Sequence, residues 1–197
     1  RDVLPVKKEE QEAALHSALA HLLLVVAAGA ALRLWNLGWG LPYELKIDKT
    51  VYMGHALRIY ETGKADPGGF KYSHLVSNQD LACVALVRRL APPTGGLRAA
   101  PARVAFRADP SSYYLATRLG TTLVALATIL LAFAYGRFLG GAAAGLAAGA
   151  LLALHPVHIE QSKTGVPDVH LTFFVLAALY ACHWAVRRER IAGVLAR

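Results

Sequence analysis

Four stretches of the chain contain no Asp, Glu, Lys or Arg: Ala13–Leu32, Leu119–Gly136, Phe138–Leu154 and Val169–Val186. A bilayer core of roughly 30 Å needs about 17–25 apolar residues in a helix, so each stretch can span, the last three only just. The rival arrangement, a soluble helical core, requires helices with a polar outer face. Leu119–Tyr135 (LGTTLVALATILLAFAY) has no such face over its last four turns. The pattern therefore predicts an all-α membrane protein, a polytopic helical bundle with about four spans. Small residues at Ala27–Ala31 would suit a signal-peptide cleavage site. The first stretch is longer than a signal core, however, and three further spans follow, so it is read as an anchor. In the third stretch, Gly141-Ala-Ala-Ala-Gly145 is a small-xxx-small pattern, which lets helix backbones approach closely inside a bundle or across a dimer face.

Charge placement orients the spans. Lys7 and Lys8 precede the first, Arg137 sits in the expected short turn between the second and third, and Arg187, Arg188 and Arg190 follow the fourth. Positive residues in short flanks mark the cytoplasmic side. The expected layout is a cytoplasmic N-terminus at 1–12, span one at 13–37, a first external loop at 38–114, spans two to four within 115–186, and a cytoplasmic basic end at 187–197. A second external loop falls at 155–168, so both loops face one compartment. The first loop carries Arg88, Arg89, Arg98, Arg103 and Arg107; loops longer than about 60 residues are largely exempt from the charge rule. Leu75–Ala91 (LVSNQDLACVALVRRLA) is the element that could reverse this parity. Its Asn78, Gln79 and Asp80 would be costly in hydrocarbon, and it is read as an amphipathic helix lying in the interface.

Composition agrees. The AVILMFWYC set makes up 55% of the 197 residues and charged residues only 17%, with a mean hydropathy of +0.38; that is too apolar for a disordered chain and poor in charge for a soluble one. The net charge is +8, but the arginines lie at membrane boundaries and in a loop, not on a folded basic face, so nucleic acid is not an expected partner. Cys83 and Cys182 are too few for a disulfide scaffold or a zinc module. The chain begins at Arg1, not Met, and reads as the N-terminal portion of something longer.

The chemistry lies in the loops. Trp35, Trp39 and Tyr43 form an aromatic belt beyond span one. Asp48 is placed as the N-cap of a helix from Lys49 to about Thr62, which Gly63 can close in a left-handed conformation; a cap position also suits a catalytic carboxylate at a helix N-terminus. Asp168 at the mouth of span four has the same two readings. Arg118 is either an interfacial arginine snorkelling at a helix end or a bidentate phosphate ligand. His155, His158, Glu160 and His170 could suggest a metal, but Pro156 argues against a regular helix there, and solvated loop histidines are the expectation.

Leu41-Pro42-Tyr43 followed by Asp48, then His55-Ala-Leu-Arg-Ile-Tyr-Glu-Thr-Gly63 and Phe70-Lys-Tyr-Ser-His-Leu75, resembles the first external loop of membrane glycosyltransferases of the GT-C superfamily. The likeness is to bacterial relatives of the protein O-mannosyltransferases and the aminoarabinose transferase. It continues through Tyr114-Leu-Ala-Thr-Arg118, Tyr135-Gly-Arg-Phe-Leu-Gly140, Leu154-His-Pro-Val-His-Ile-Glu-Gln-Ser162 and Pro167-Asp168-Val-His-Leu-Thr-Phe-Phe174. The resemblance implies Asp48 as the catalytic carboxylate, Arg118 as a contact to the lipid phosphate, and Asp168 lining the same cavity. Two departures stand out: Lys49 replaces a glutamate commonly beside the aspartate, and Ser73-His74 replaces prolines.

The implied reaction is sugar transfer from a polyprenyl-phosphate-linked donor to an acceptor hydroxyl at the outer face of the cytoplasmic membrane. It needs a base for the incoming proton and cations for the departing phosphate; Asp48 supplies the first, and Arg118, with Lys71 or Arg107, the second. No cofactor is expected to be required, and a divalent cation is left open. The expected partners are the donor, membrane lipids and an acceptor protein or glycolipid. Against this stand a non-catalytic scaffold or transporter segment whose basic loop binds anionic lipid head groups, and a binder of polyprenyl phosphate without chemistry.

Overall fold

The structure, a computed structural model, describes residues 3–43, 46–65 and 74–195. Every regular element among them is helical: α1 (Val3–Leu34), α2 (Ile47–Thr62), α3 (His74–Leu90), a single 3-10 turn (Gly95–Arg98), α4 (Ala102–Ala108), α5 (Ser111–Leu154), α6 (Pro156–Ser162) and α7 (Asp168–Leu195). Two compact units are formed, one from Arg1–Leu32, Leu126–Pro156 and Thr172–Arg197, the other from Arg33–Ala125 and Val157–Leu171.

The first unit is built of membrane-type helices. Three helices are long and apolar enough to cross a bilayer, within His16–Leu34, Ser111–Leu154 and Asp168–Arg188. Only 17%, 39% and 11% of their apolar windows are buried inside the protein. Leu23, Leu24, Leu130, Leu151, Phe174 and Leu179 all stand exposed. A soluble bundle would bury such residues; a lipid-facing helix exposes them. The chain is a helical membrane protein.

The longest helix is a hairpin. Gly140 (φ −141°, ψ 20°) and Gly141 (φ 81°, ψ −174°) leave helical geometry, and Gly141 takes the left-handed backbone that a β-carbon resists. Past this break the chain folds back on itself. A β-carbon on Gly149 would lie 3.6 Å from Phe133 Cβ, although the two residues would be about 24 Å apart along a straight helix. One on Gly145 would fall 2.6 Å from the Phe133 carbonyl oxygen, and one on Gly136 would fall 2.9 Å from that of Ala144. The glycines expected to pack in a bundle thus pack the two arms of their own hairpin. The turn expected at Arg137 lies instead at Gly140–Gly141: the reversal follows backbone freedom, not charge. This leaves residues 142–154 as the second arm, about 20 Å long, shorter than the expected span Phe138–Leu154. At the turn end of this unit, Tyr135 hydrogen-bonds His183. Arg187 stacks over Phe138 at 5.0 Å and donates to its carbonyl.

The second unit carries the loop helices. Met53, Ala56 and Leu57 of α2 meet Val84 and Val87 of α3, Ala102 of α4, and Tyr113 and Tyr114 of α5 in one apolar core. Phe106 packs edge-on to both tyrosines at 5.6 and 5.4 Å. Gly63 closes α2 as expected, at φ 66° with its N–H on the Ile59 carbonyl. The segment read as an interfacial amphipathic helix is α3, and its inward face (Val76, Ser77, Asp80, Cys83, Val84, Val87) is buried within this unit. Two loop arginines brace the fold. Arg88 donates to the carbonyls of Leu97, Arg98 and Ala100, and Arg103 pairs with Glu61. α6 starts at Pro156, where the missing N–H costs nothing and the ring pre-sets the helical φ; the expected interruption is a helix start.

Candidate functional site

After α1 the chain runs through successive tight turns from Leu34 to Tyr43, bonded Leu37 to Leu34, Trp39 to Asn36, Leu41 to Gly38 and Tyr43 to Gly40. Trp35, Trp39 and Tyr43 project into the surroundings, as a belt at a membrane surface requires. Arg118, buried on α5, clasps this turn: its Nη1 donates to the carbonyls of Leu37 at 2.8 Å and Trp39 at 2.9 Å. Beside it opens a cavity of about 200 Å³ lined by Asn36, Leu37, Trp39, Lys46, Arg118, Glu160, Lys163 and Thr164. Lys163 donates its Nζ to the Trp35 carbonyl, and Lys46 faces Glu160 at 3.6 Å. Burial, and then the nearby charge of Arg33, lowers the Lys163 pKa. An anion beside Lys163 would offset both effects.

Beneath the cavity the polar interior is unusually cationic. Among the described residues of this unit, Arg33, Lys49 and Arg118 are buried cations, against one buried carboxylate, Asp80. Arg33 Nη2 donates to His158 Nδ1 at 2.8 Å. Lys49 donates to both oxygens of Asp80, at 2.6 and 2.7 Å, with both side chains wholly removed from solvent. Gln79, one residue before Asp80, donates to the Thr117 carbonyl and the Thr121 hydroxyl and accepts from His170. Thr122 donates to the Ser162 carbonyl. A β-carbon on Gly120 would meet Gln79 Nε2 at 3.0 Å, so glycine there admits α3 close to α5. Burial, and then the charge of Asp80, pushes the Cys83 thiol up to about 11.

The expected site residues distribute as follows. Arg118 lines the cavity, but as a brace with one amino group already committed to carbonyls. Asp48 is exposed in the first turn of α2, one position inside the helix, since Lys46 occupies the N-cap in extended geometry without a capping side chain; it is not the cap. Asp168 opens α7 directly after Pro167, whose carbonyl accepts the N–H of Leu171. Neither carboxylate lines the cavity, although Lys46, two residues before Asp48, does. Arg107 borders a different hollow with Thr50, Gly54, Leu57, Arg103 and Phe106. Lys71 lies outside the described residues. His158 and His170 are buried, not solvated, because each is drawn into the polar network. Among the described residues no group of three His, Cys, Asp or Glu side chains is arranged to hold a metal ion.

The fold and the cavity define a polytopic helical membrane protein with a cation-lined pocket beside an aromatic belt. Residues 112–196 match the model of the dolichyl-phosphate-mannose-protein mannosyltransferase family. That stretch, less than half of the chain, is similar to a family of membrane glycosyltransferases. No curated protein and no solved structure matches the chain.

Proposed function

We propose that the chain is part of a glycosyltransferase that moves a sugar from a polyprenyl-phosphate-linked donor to an acceptor hydroxyl at the external face of the cytoplasmic membrane. The observation that carries this reading is the cavity's charge: Lys46, Arg118 and Lys163 against Glu160 alone. It lies beside an interior where, among the described residues, buried cations outnumber buried carboxylates. A site of this composition favours a compact anion, and a guanidinium with two ammonium groups suits a phosphate.

In the reaction, the acceptor oxygen forms a bond to the anomeric carbon as the bond from that carbon to the phosphate oxygen breaks. The hydroxyl proton passes to Asp48, and the electron pair of the broken bond stays with the polyprenyl phosphate. Lys46, Arg118 and Lys163 stabilise the charge that builds there. Asp168 is the second carboxylate of the site, a divalent cation remains compatible with it, and the acceptor is a protein or glycolipid hydroxyl.

The test is Asp48→Asn in the full-length membrane protein. Asn keeps the shape and loses the basicity, so expression and donor binding persist while turnover falls by roughly 10²–10⁴. Full transfer activity in Asp48→Asn would end the assignment of Asp48 as the base and pass that role to Asp168.

A further inference from the structure

The Lys49–Asp80 pair is anomalous for a loop domain of this size. Both charges are wholly buried, and a buried pair of this kind costs so much desolvation that apolar residues of equal volume serve stability as well or better. Its contacts indicate another use. Lys49 stands in the first turn of α2, three residues after Lys46 and directly after Asp48. Asp80 lies on the buried stripe of α3. Gly165, at φ +67°, closes the third side: a β-carbon there would meet Lys49 Cε and Nζ, each at 2.9 Å. The loop packed against the ammonium therefore runs between Lys163, which lines the cavity, and Asp168. One ammonium group thus ties together three chain segments, two of which carry every proposed site residue except Arg118, Arg107 and Lys71.

We infer that Lys49 and Asp80 are positioning residues: a buried strut that sets the first turn of α2, with Lys46 and Asp48, against the 163–168 loop, with Lys163 and Asp168. The catalytic part of this inference rests on the transferase reading above; the positional part does not. Geometry makes the strut directional. A carboxylate that receives two short bonds from one ammonium fixes both distance and angle, whereas an apolar contact permits sliding. The missing β-carbon at Gly165 lets the loop backbone come within contact distance of the lysine stem, so displacement of α2 is transmitted to the loop.

The experiment compares the native full-length protein with the double variant Lys49→Met/Asp80→Val, which removes both charges while staying close to their combined volume. Removing only one partner would strand a buried charge and risk unfolding. Amide hydrogen exchange is followed in the first turn of α2 and in 163–168, with the α2–α3 core around Met53 and Val84 as internal control. Thermal melting and sugar transfer at saturating donor are measured on the same samples. The expected result is unchanged melting and core protection, about tenfold or faster exchange in both flanking segments, and about tenfold or lower turnover. Unchanged exchange in the two segments would overturn the inference whatever the activity. Native protein that transfers no sugar would refute the transferase reading, while the exchange result would still decide the strut.

Discussion

Lys46→Met tests the phosphate-binding role of the cavity, because the ion pair it removes is solvent-exposed. Its side chain is 41% exposed and its carboxylate partner, Glu160, is 64% exposed, at 3.6 Å. A pair of this kind contributes between about 0 and 1 kcal/mol to stability, so the melting temperature of Lys46→Met should stay close to that of the native protein. Its effect on a bound phosphate is larger. A unit charge about 5 Å from a phosphate, in a half-exposed site between water and protein in dielectric character, is worth about 1–2 kcal/mol. That is about a 5–30-fold weaker Kd. Arg118→Ala could not make this distinction, since it also strips the buried Leu37 carbonyl and the part-buried Trp39 carbonyl of their donor, a loss that lowers stability in its own right. The assay is equilibrium binding of a short polyprenyl phosphate to the purified protein at low and high salt, with the matching polyprenol as control. Native binding should weaken with salt, and the difference between native and variant should shrink as screening increases. Equal Kd values for native protein and Lys46→Met at low salt would refute the cavity as the phosphate site, as would equal affinity for phosphate and polyprenol.

Two further outcomes follow from the geometry. Gly145→Val should prise the hairpin arms apart, because even a β-carbon there would sit 2.6 Å from the Phe133 carbonyl oxygen; a loss of about 1–3 kcal/mol is expected, read by thermal melting in detergent, and an unchanged melt would refute the close approach. Cys83 should resist alkylation at neutral pH, because burial and Asp80 push its thiol up to about 11. Above the ordinary thiol value the unfolded chain ionises and the folded chain does not, so stability should fall as pH rises from about 9 to 11, and Cys83→Ala should remove that part of the decline.

Much of the fold was legible because its signals are local. Uncharged windows mark the lipid-facing helices, and the stop of α2 follows from one glycine in a left-handed cap. The hairpin turn lies past Arg137 because charge marks a membrane side, not a reversal, and the backbone freedom for the reversal comes from Gly140-Gly141, three residues on. The helix α2 starts two residues earlier than expected for a related reason. Asp48 is a good cap by composition, but the segment enters the helix with Lys46 extended, and tertiary placement of Lys49 overrides the local preference. Lys46 and Lys163 belong to no motif, so nothing local in the sequence singles them out as site residues. They meet at the cavity only because α6 and the turns after α1 are brought together.

The buried strut is different: the sequence did hold a clue to it. Val76, Asp80, Val84 and Val87 fall at helical spacing on one face of α3, so an acid interrupts an otherwise apolar stripe. A carboxylate in such a position must be neutralised or paired with a cation, because an isolated buried charge is too costly to keep. The same reasoning applies to Lys49, which stands where a glutamate is common in the GT-C proteins the chain resembles, so its change of sign called for a new counter-charge. Spacing along the chain could not join the two, since 31 residues separate them and no local period links such positions. Nor could it show the charge balance of the interior. Among the described residues the buried cations Arg33, Lys49 and Arg118 share the interior with one buried carboxylate, Asp80; Arg33 donates to His158 and Arg118 to the Leu37 carbonyl. A local period along the chain carries no information on that balance, which arises only when α1, α2, α3 and α5 bring their charged side chains into one interior. It is this composition, beside a cavity lined by Lys46, Arg118 and Lys163, on which the proposed anionic ligand rests.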